Sequence, residues 1–158
     1  MKTYLYLIKL EKNRYYVGST TTFKRIRKQC KQSKGASQWV KKNVVDSLVR
    51  VWNIGELEYR EAEIIETLVT VEVMKLVGIL NVRGGFFTLT DSDSVLKTVK
   101  SHFINNRFML DNVKQLELDF LNVSSNVEAI KIVRHIEEYL ESSGIFAYSL
   151  GNDLEVIV

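Results

Sequence analysis

The 158-residue chain is 46% apolar and 26% charged, enough for a packed core and unlike an intrinsically disordered polymer. Its apolar runs fall far short of the roughly 20 residues needed to cross a bilayer. Lys9, Glu11 and Lys12 interrupt any secretory h-region, so the chain reads as soluble and intracellular, in cytoplasm or nucleus. One cysteine, Cys30, excludes an internal disulfide and a Cys-rich zinc site, and no proline is present to build a Pro-rich linker.

The net charge of +3 conceals a division. Residues 1–43 hold 12 of the 22 Lys and Arg and a single acid, Glu11, whereas the remainder holds 10 basic and 18 acidic residues. A chain polarised in this way is expected to offer its basic part to a polyanion.

The first predicted element is a hairpin. Tyr4, Tyr6 and Ile8 alternate with Leu5, Leu7 and Lys9, a polar turn follows at Glu11–Arg14, and a second strand runs through Tyr15, Tyr16 and Val17 to Gly18. Ser19–Thr22 supplies an N-cap for a basic helix over 23–33, with Phe23, Ile26 and Cys30 as its apolar stripe. A short helix over 37–43 is expected to pack through Trp39 and Val40, and 47–52 alternates as a third strand. Residues 58–77 contain β-branched Val69, Thr70, Val71 and Val73, but their length favours helix. Gly78 stops it, and Asn81-Val82-Arg83-Gly84-Gly85 reads as a tight turn.

Residues 89–158 read as a second, smaller and acidic α+β unit. Asp91–Ser94 caps a helix to about 103, a further helix is expected near 108–121, and Ser125-x-x-Glu128 reads as a capping box. The helix it opens places Ala129, Ile132, Val133, Ile136 and Leu140 on one face and ends at Gly144. Two alternating runs, from Phe146 to Leu150 and from Leu154 to Val158, form a hairpin across Gly151-Asn152. This unit is expected to pack on the first, to form a homodimer or to dock a protein partner.

Two histidines and one cysteine leave little for a His-rich metal centre or a Cys/His nucleophile. His135 on an amphipathic helix and His102 at a helix end read as structural, and the Gly84-Gly85 turn lacks the Lys-Ser/Thr of a phosphate loop. Tyrosines on a hairpin, a basic helix or one glutamate among several carry no function singly. Their order along the chain does.

The run TYLYLIKLEKNRYYVGSTTTFKRIRKQ resembles the start of the GIY-YIG nuclease family, with Tyr4-Leu5-Tyr6 in the place of GIY and Tyr16-Val17-Gly18 in the place of YVG. GASQWVKKN resembles the Ser-x-Trp-Thr-Lys-Lys segment of one branch of that family. IIETLVTVEVMKLVGILNVRGG is similar to its Glu-x-x-x-Thr…Asn-Val-Arg-Gly-Gly signature. That branch is associated mainly with large DNA viruses and phages. The likeness covers about residues 3–90 in four ordered segments.

The resemblance implies an α/β (α+β) nuclease domain over residues 1–88, with a small three-stranded antiparallel sheet flanked by helices. Its implied activity is metal-dependent endonucleolytic hydrolysis of phosphodiester bonds in duplex or branched DNA, with Mg²⁺ or Mn²⁺. It assigns Tyr6 and Tyr16 to positioning or deprotonating the attacking water, Arg25 to the helix arginine, Glu66 to the metal, and Asn81 to support of the site. Lys9 and Lys24 are expected phosphate contacts, joined by Arg27, Lys28, Lys41 and Lys42 of the basic stretch.

Such a site is chemically coherent. A guanidinium and a divalent cation stabilise charge developing on phosphate oxygens, and Mg²⁺ keeps most of its waters, so one carboxylate can suffice. A tyrosine, with a reference pKa of roughly 10, needs nearby positive charge to act as a base. Three positions depart from the family pattern: Tyr4 replaces a glycine, Arg25 lies one residue closer to Gly18 than usual (leaving Arg27 as the alternative), and Gln29 stands where a histidine is frequent. The competing expectation is a non-catalytic nucleic-acid-binding or adaptor protein.

Overall fold

A computed structural model of the chain describes residues 1–104 and 127–153. Strands β1 (Lys2–Leu10) and β2 (Arg14–Thr20) form the expected hairpin, joined by a 3-10 turn at Glu11–Asn13. Helices α1 (Phe23–Cys30) and α2 (Gln38–Lys42) follow, then the long strand β3 (Val45–Glu56) and helix α3 (Tyr59–Val77). Beyond a 3-10 turn at Ile79–Asn81 come β4 (Val82–Gly84), α4 (Ser92–Ile104), α5 (Ala129–Ser142) and β5 (Tyr148–Gly151). The helix expected near 108–121 and the strand expected at 154–158 lie outside the described residues.

The fold is α+β, but the sheet differs from the three antiparallel strands expected. Among the described residues it has five, in the order β4-β2-β1-β3-β5. β4 pairs parallel to β2, Tyr15 opposite Val82, and the other neighbours pair antiparallel. Three residues are too few to show period-2 alternation, so β4 read as a turn.

β1 is central, and both its faces are covered, which explains why Leu5, Tyr6, Leu7 and Ile8 are all buried in succession. Odd positions Leu5 and Leu7 meet α3, α4 and α5 in one core with Val69, Val73, Val95, Ile132 and Ile136. Even positions Tyr6, Ile8 and Leu10 meet α1 and α2 in a second core, with Tyr16, Ile26, Trp39 and Val40. The first core runs across residue 88: α5 packs on α3, Trp52 donates its indole N–H to Glu137 at 3.0 Å, and β5 extends the sheet beyond β3.

The helix ends show where the capping signals lie. Ser37 accepts the Val40 N–H at 3.2 Å and starts α2. α3 carries a capping box that its Glu-rich start concealed: the Glu58 carboxylate accepts from the backbone of the third residue, and the Glu58 N–H donates to Glu61 at 3.0 Å. α5 begins at Ala129 with Glu128 as its N-cap residue and no side-chain cap bond, while Ser125 of the expected box lies outside the described residues. No described helix is long and apolar enough to cross a membrane.

Candidate active site

Tyr6 and Tyr16 come together because the hairpin register puts both rings on the α1 face, with centroids 6.1 Å apart. Tyr6 lies directly opposite Gly18, and its ring covers that residue so closely that a Cβ there would collide with the ring and hydroxyl. The glycine of the YVG segment is therefore set by contact with the first tyrosine. Gly18→Ala is expected to cost about 1–3 kcal/mol by overpacking, read as a lower urea midpoint, and the loss should shrink in a Tyr6→Ala background.

Burial raises the pKa of both phenols and so suppresses their ionisation. Tyr6 is pushed well above the usual tyrosine range by burial, then by Tyr16 and Glu66, against the lowering fields of Arg25 and the Gln29 amide. Tyr16 is pushed up to about 12, first by burial and then by Glu66, with Arg25 opposing. Both hydroxyls are therefore protonated at neutral pH and can donate a hydrogen bond. Tyr4, at the glycine position of the family pattern, fills space against the Phe23 ring of α1 at 4.5 Å.

Glu66 leaves α3 at the C-terminal ends of the parallel strands β2 and β4. Its Oε2 accepts from the Ser19 hydroxyl at 2.5 Å, and its Oε1 accepts from the Gly85 N–H at 2.7 Å. Burial holds its pKa above the usual carboxylate value, partly offset by these hydrogen bonds.

The Gly-Gly end of the signature follows from the same packing. A Cβ on Gly85 would collide with the Thr67 side chain and Cα, and its φ of 55° suits glycine. Thr67 and Thr70 turn their hydroxyls back to the Glu63 and Glu66 carbonyls at 2.8 Å, leaving a low surface on α3 for β4 to approach. The spacing from Glu66 to Thr70 thus belongs to the close contact that aims the Gly85 N–H at Glu66.

Arg25 is exposed on α1, donates to the Gly35 carbonyl at 3.1 Å, and its charge acts to lower the pKa of both tyrosines. Arg27 is half-buried on the same helix. Lys24, Lys28, Lys41 and Lys42 are exposed on α1 and α2, the helices that cover the tyrosine face. Lys42 also donates to Thr90 at 2.8 Å.

Two expected site residues stand apart. Lys9 alternates onto the opposite face of β1 from Tyr6 and approaches Asp46 at 4.0 Å. Asn81 donates to the Val77 carbonyl at 2.6 Å and so closes the C-terminal end of α3. Val77 lies about 16 Å along the helix axis from Glu66. Asn81 supports the helix rather than the tyrosines.

Two residues matter more than their sequence context indicated. Gln29 is fully buried, accepts the Ser37 N–H at 2.9 Å and donates to the Tyr16 hydroxyl at 3.4 Å. A polar residue following the apolar stripe of a basic helix looks solvated, and only the three-dimensional position of α1 reveals otherwise. Arg83 is buried with its guanidinium over the Trp39 ring at 4.2 Å, which joins the Ser-x-Trp segment to the Val-Arg-Gly-Gly segment. His102 is buried and stacked on Phe86, and His135 lies 3.6 Å from Glu72 on α3, outside the site.

No protein-family model matches the chain, and neither a curated protein nor a solved structure matches it. The likeness to GIY-YIG nucleases is thus a resemblance of four ordered sequence segments alone.

Proposed function

We propose that this protein is a metal-dependent endonuclease of the GIY-YIG kind, hydrolysing DNA phosphodiester bonds with Mg²⁺ or Mn²⁺. One observation carries this reading. Tyr6 and Tyr16 pack 6.1 Å apart on the face covered by α1 and α2, where α1 carries Arg25, and Ser19, at the end of the strand that bears Tyr16, holds the Glu66 carboxylate.

The donor set fits a hard divalent cation. Ser19 and the Gly85 N–H hold both Glu66 oxygens, and a carboxylate has four lone-pair sites, so this single carboxylate keeps acceptor capacity for a cation. That favours a water-rich ion on one carboxylate over a closed zinc site. When bound, the ion would supply electrostatic stabilisation of the phosphate and lower the pKa of a coordinated water. The chain's own residues do the rest. Ser19 and Gly85 fix the carboxylate, the neutral phenols donate hydrogen bonds that orient the attacking water, and Arg25 meets charge growing on the phosphate oxygens.

Supercoiled plasmid incubated with the protein and Mg²⁺ or Mn²⁺ is expected to be nicked. Binding without nicking at high protein concentration would overturn the enzyme and leave a nucleic-acid-binding module. Lys24→Glu with Lys28→Glu should weaken plasmid binding uniformly across sequences and flatten the dependence of log affinity on log salt by about two released counterions. An unchanged salt slope would place the DNA on another face.

A further inference from the structure

We propose that Gln29 is a positioning residue of this site: its amide donates to the Tyr16 hydroxyl oxygen and turns the phenol proton away from α1, toward the reacting groups. The inference deepens the nuclease reading and rests on it for the identity of the reaction, but its contact with Tyr16 can be tested separately.

The orientation of the amide is decided by its neighbour. The Ser37 backbone N–H can only donate, and it lies 2.9 Å from one end of the Gln29 side chain, so that end is the oxygen. The other end is then the NH₂ group, and it faces the Tyr16 hydroxyl at 3.4 Å. A phenol oxygen that accepts there must send its own proton elsewhere. Gln29 is fully buried, so water does not compete for this arrangement. Neighbouring Tyr6 packs against Tyr16 on the same face, ring centroids 6.1 Å apart.

The link also ties three elements together. Gln29 is near the end of α1, Ser37 is the N-cap residue of α2, and Tyr16 lies on β2. Because Ser37 Oγ accepts from Val40 while the Ser37 N–H donates to Gln29, the start of α2 is fixed to the amide that orients the tyrosine. An amide does not titrate, so this pattern holds through the neutral pH range.

Two variants of the full chain test the proposal. Gln29→Glu keeps an oxygen for Ser37 and, assayed at alkaline pH where the buried carboxyl is ionised, replaces the donor with an acceptor, reversing the bond to Tyr16. It is expected to lower kcat for plasmid nicking about tenfold or more, with KM within about twofold. Gln29→His can accept from Ser37 and donate to Tyr16 only while neutral. Its nicking should hold at high pH and fall on acidification, with a midpoint below roughly 6.5 because burial disfavours the imidazolium.

The contact has its own readout in protein carrying ¹³Cζ-labelled tyrosine, with the Tyr16 resonance assigned from its loss in Tyr16→Phe. Between about pH 5 and 8 that resonance should stay flat in the wild type and move with the imidazole in Gln29→His. A Tyr16 resonance indifferent to the histidine, or folded Gln29→Glu with wild-type kcat, overturns the positioning role. Absence of nicking in the wild type would remove the nuclease reading while the resonance still decides the contact. If Gln29→Glu fails to fold, Gln29→His carries both measurements.

Discussion

Glu66→Gln is expected to lower plasmid nicking by about 10²–10³-fold and, at pH 7, to raise the melting temperature. The two effects have one origin. Glu66 sits where the fold disfavours its charge: burial raises its pKa, and the hydrogen bonds from Ser19 and Gly85 offset that only in part. A carboxyl with a raised pKa binds its proton more tightly folded than unfolded. Stability therefore falls as pH rises from the unfolded value of 4.5 toward the folded one, and the full cost persists at neutral pH. Glutamine removes the charge and keeps the shape. Its oxygen accepts the Gly85 N–H, while its NH₂ can donate to Ser19, whose hydroxyl rotates to suit. The stabilisation of the variant should thus be present at pH 7 and narrow below about pH 4.5, where Glu66 is protonated in both states. Affinity for plasmid should remain within about threefold, because basic helices rather than one carboxylate hold the backbone. Wild-type nicking by Glu66→Gln would remove the carboxylate from the reaction. A melting temperature that falls at pH 7 would show that hydrogen bonding outweighs burial.

The parts of this site that were legible in the sequence are those encoded by short, regular spacing. Tyr6 and Tyr16 lie on alternating strands joined by a short turn, so their register and shared face follow from period two. Arg25 and Glu66 are singled out by the resemblance, Arg25 because it directly precedes Ile26 and Glu66 because it lies four residues before Thr70. The expected cap before α1 makes no side-chain bond at Thr22. The residues that escaped depend on contacts between distant segments. Gln29 looks like one more polar residue in KRIRKQ until α1 is laid against the sheet, and β4 is too short to have a period. Asn81 illustrates the converse. Its place in a motif attached it to the chemistry, whereas its side chain closes α3 through Val77. Lys9 enters with the resemblance as a less specific phosphate contact, and the alternation of its own strand turns it away from the tyrosines.

Arg83→Ala carries the largest expected loss of stability, about 3–5 kcal/mol, measured by urea unfolding. The guanidinium is buried and meets carbonyls instead of a carboxylate: Leu89 at 2.7 Å, Val82 at 2.9 Å, Ile79 at 3.0 Å and Thr90 at 3.4 Å. Burial, followed by the field of Arg14, pushes its pKa down to about 10, so it is still charged at neutral pH. These acceptors lie on both sides of the Gly84-Gly85 approach to α3, and one cation spans them. Alanine would leave buried carbonyls without their donors and open a cavity against Trp39, whose other cationic neighbour, Arg14, lies 5.4 Å from the ring. Lysine should recover only part of the loss, since an ammonium cannot reproduce the planar fork that reaches four carbonyls. Because the same turn presents the Gly85 N–H to Glu66, Arg83→Ala should also reduce nicking at temperatures where the variant remains folded. An alanine variant as stable as the wild type would mean that close packing of Gly85 on Thr67 holds the turn without the clamp.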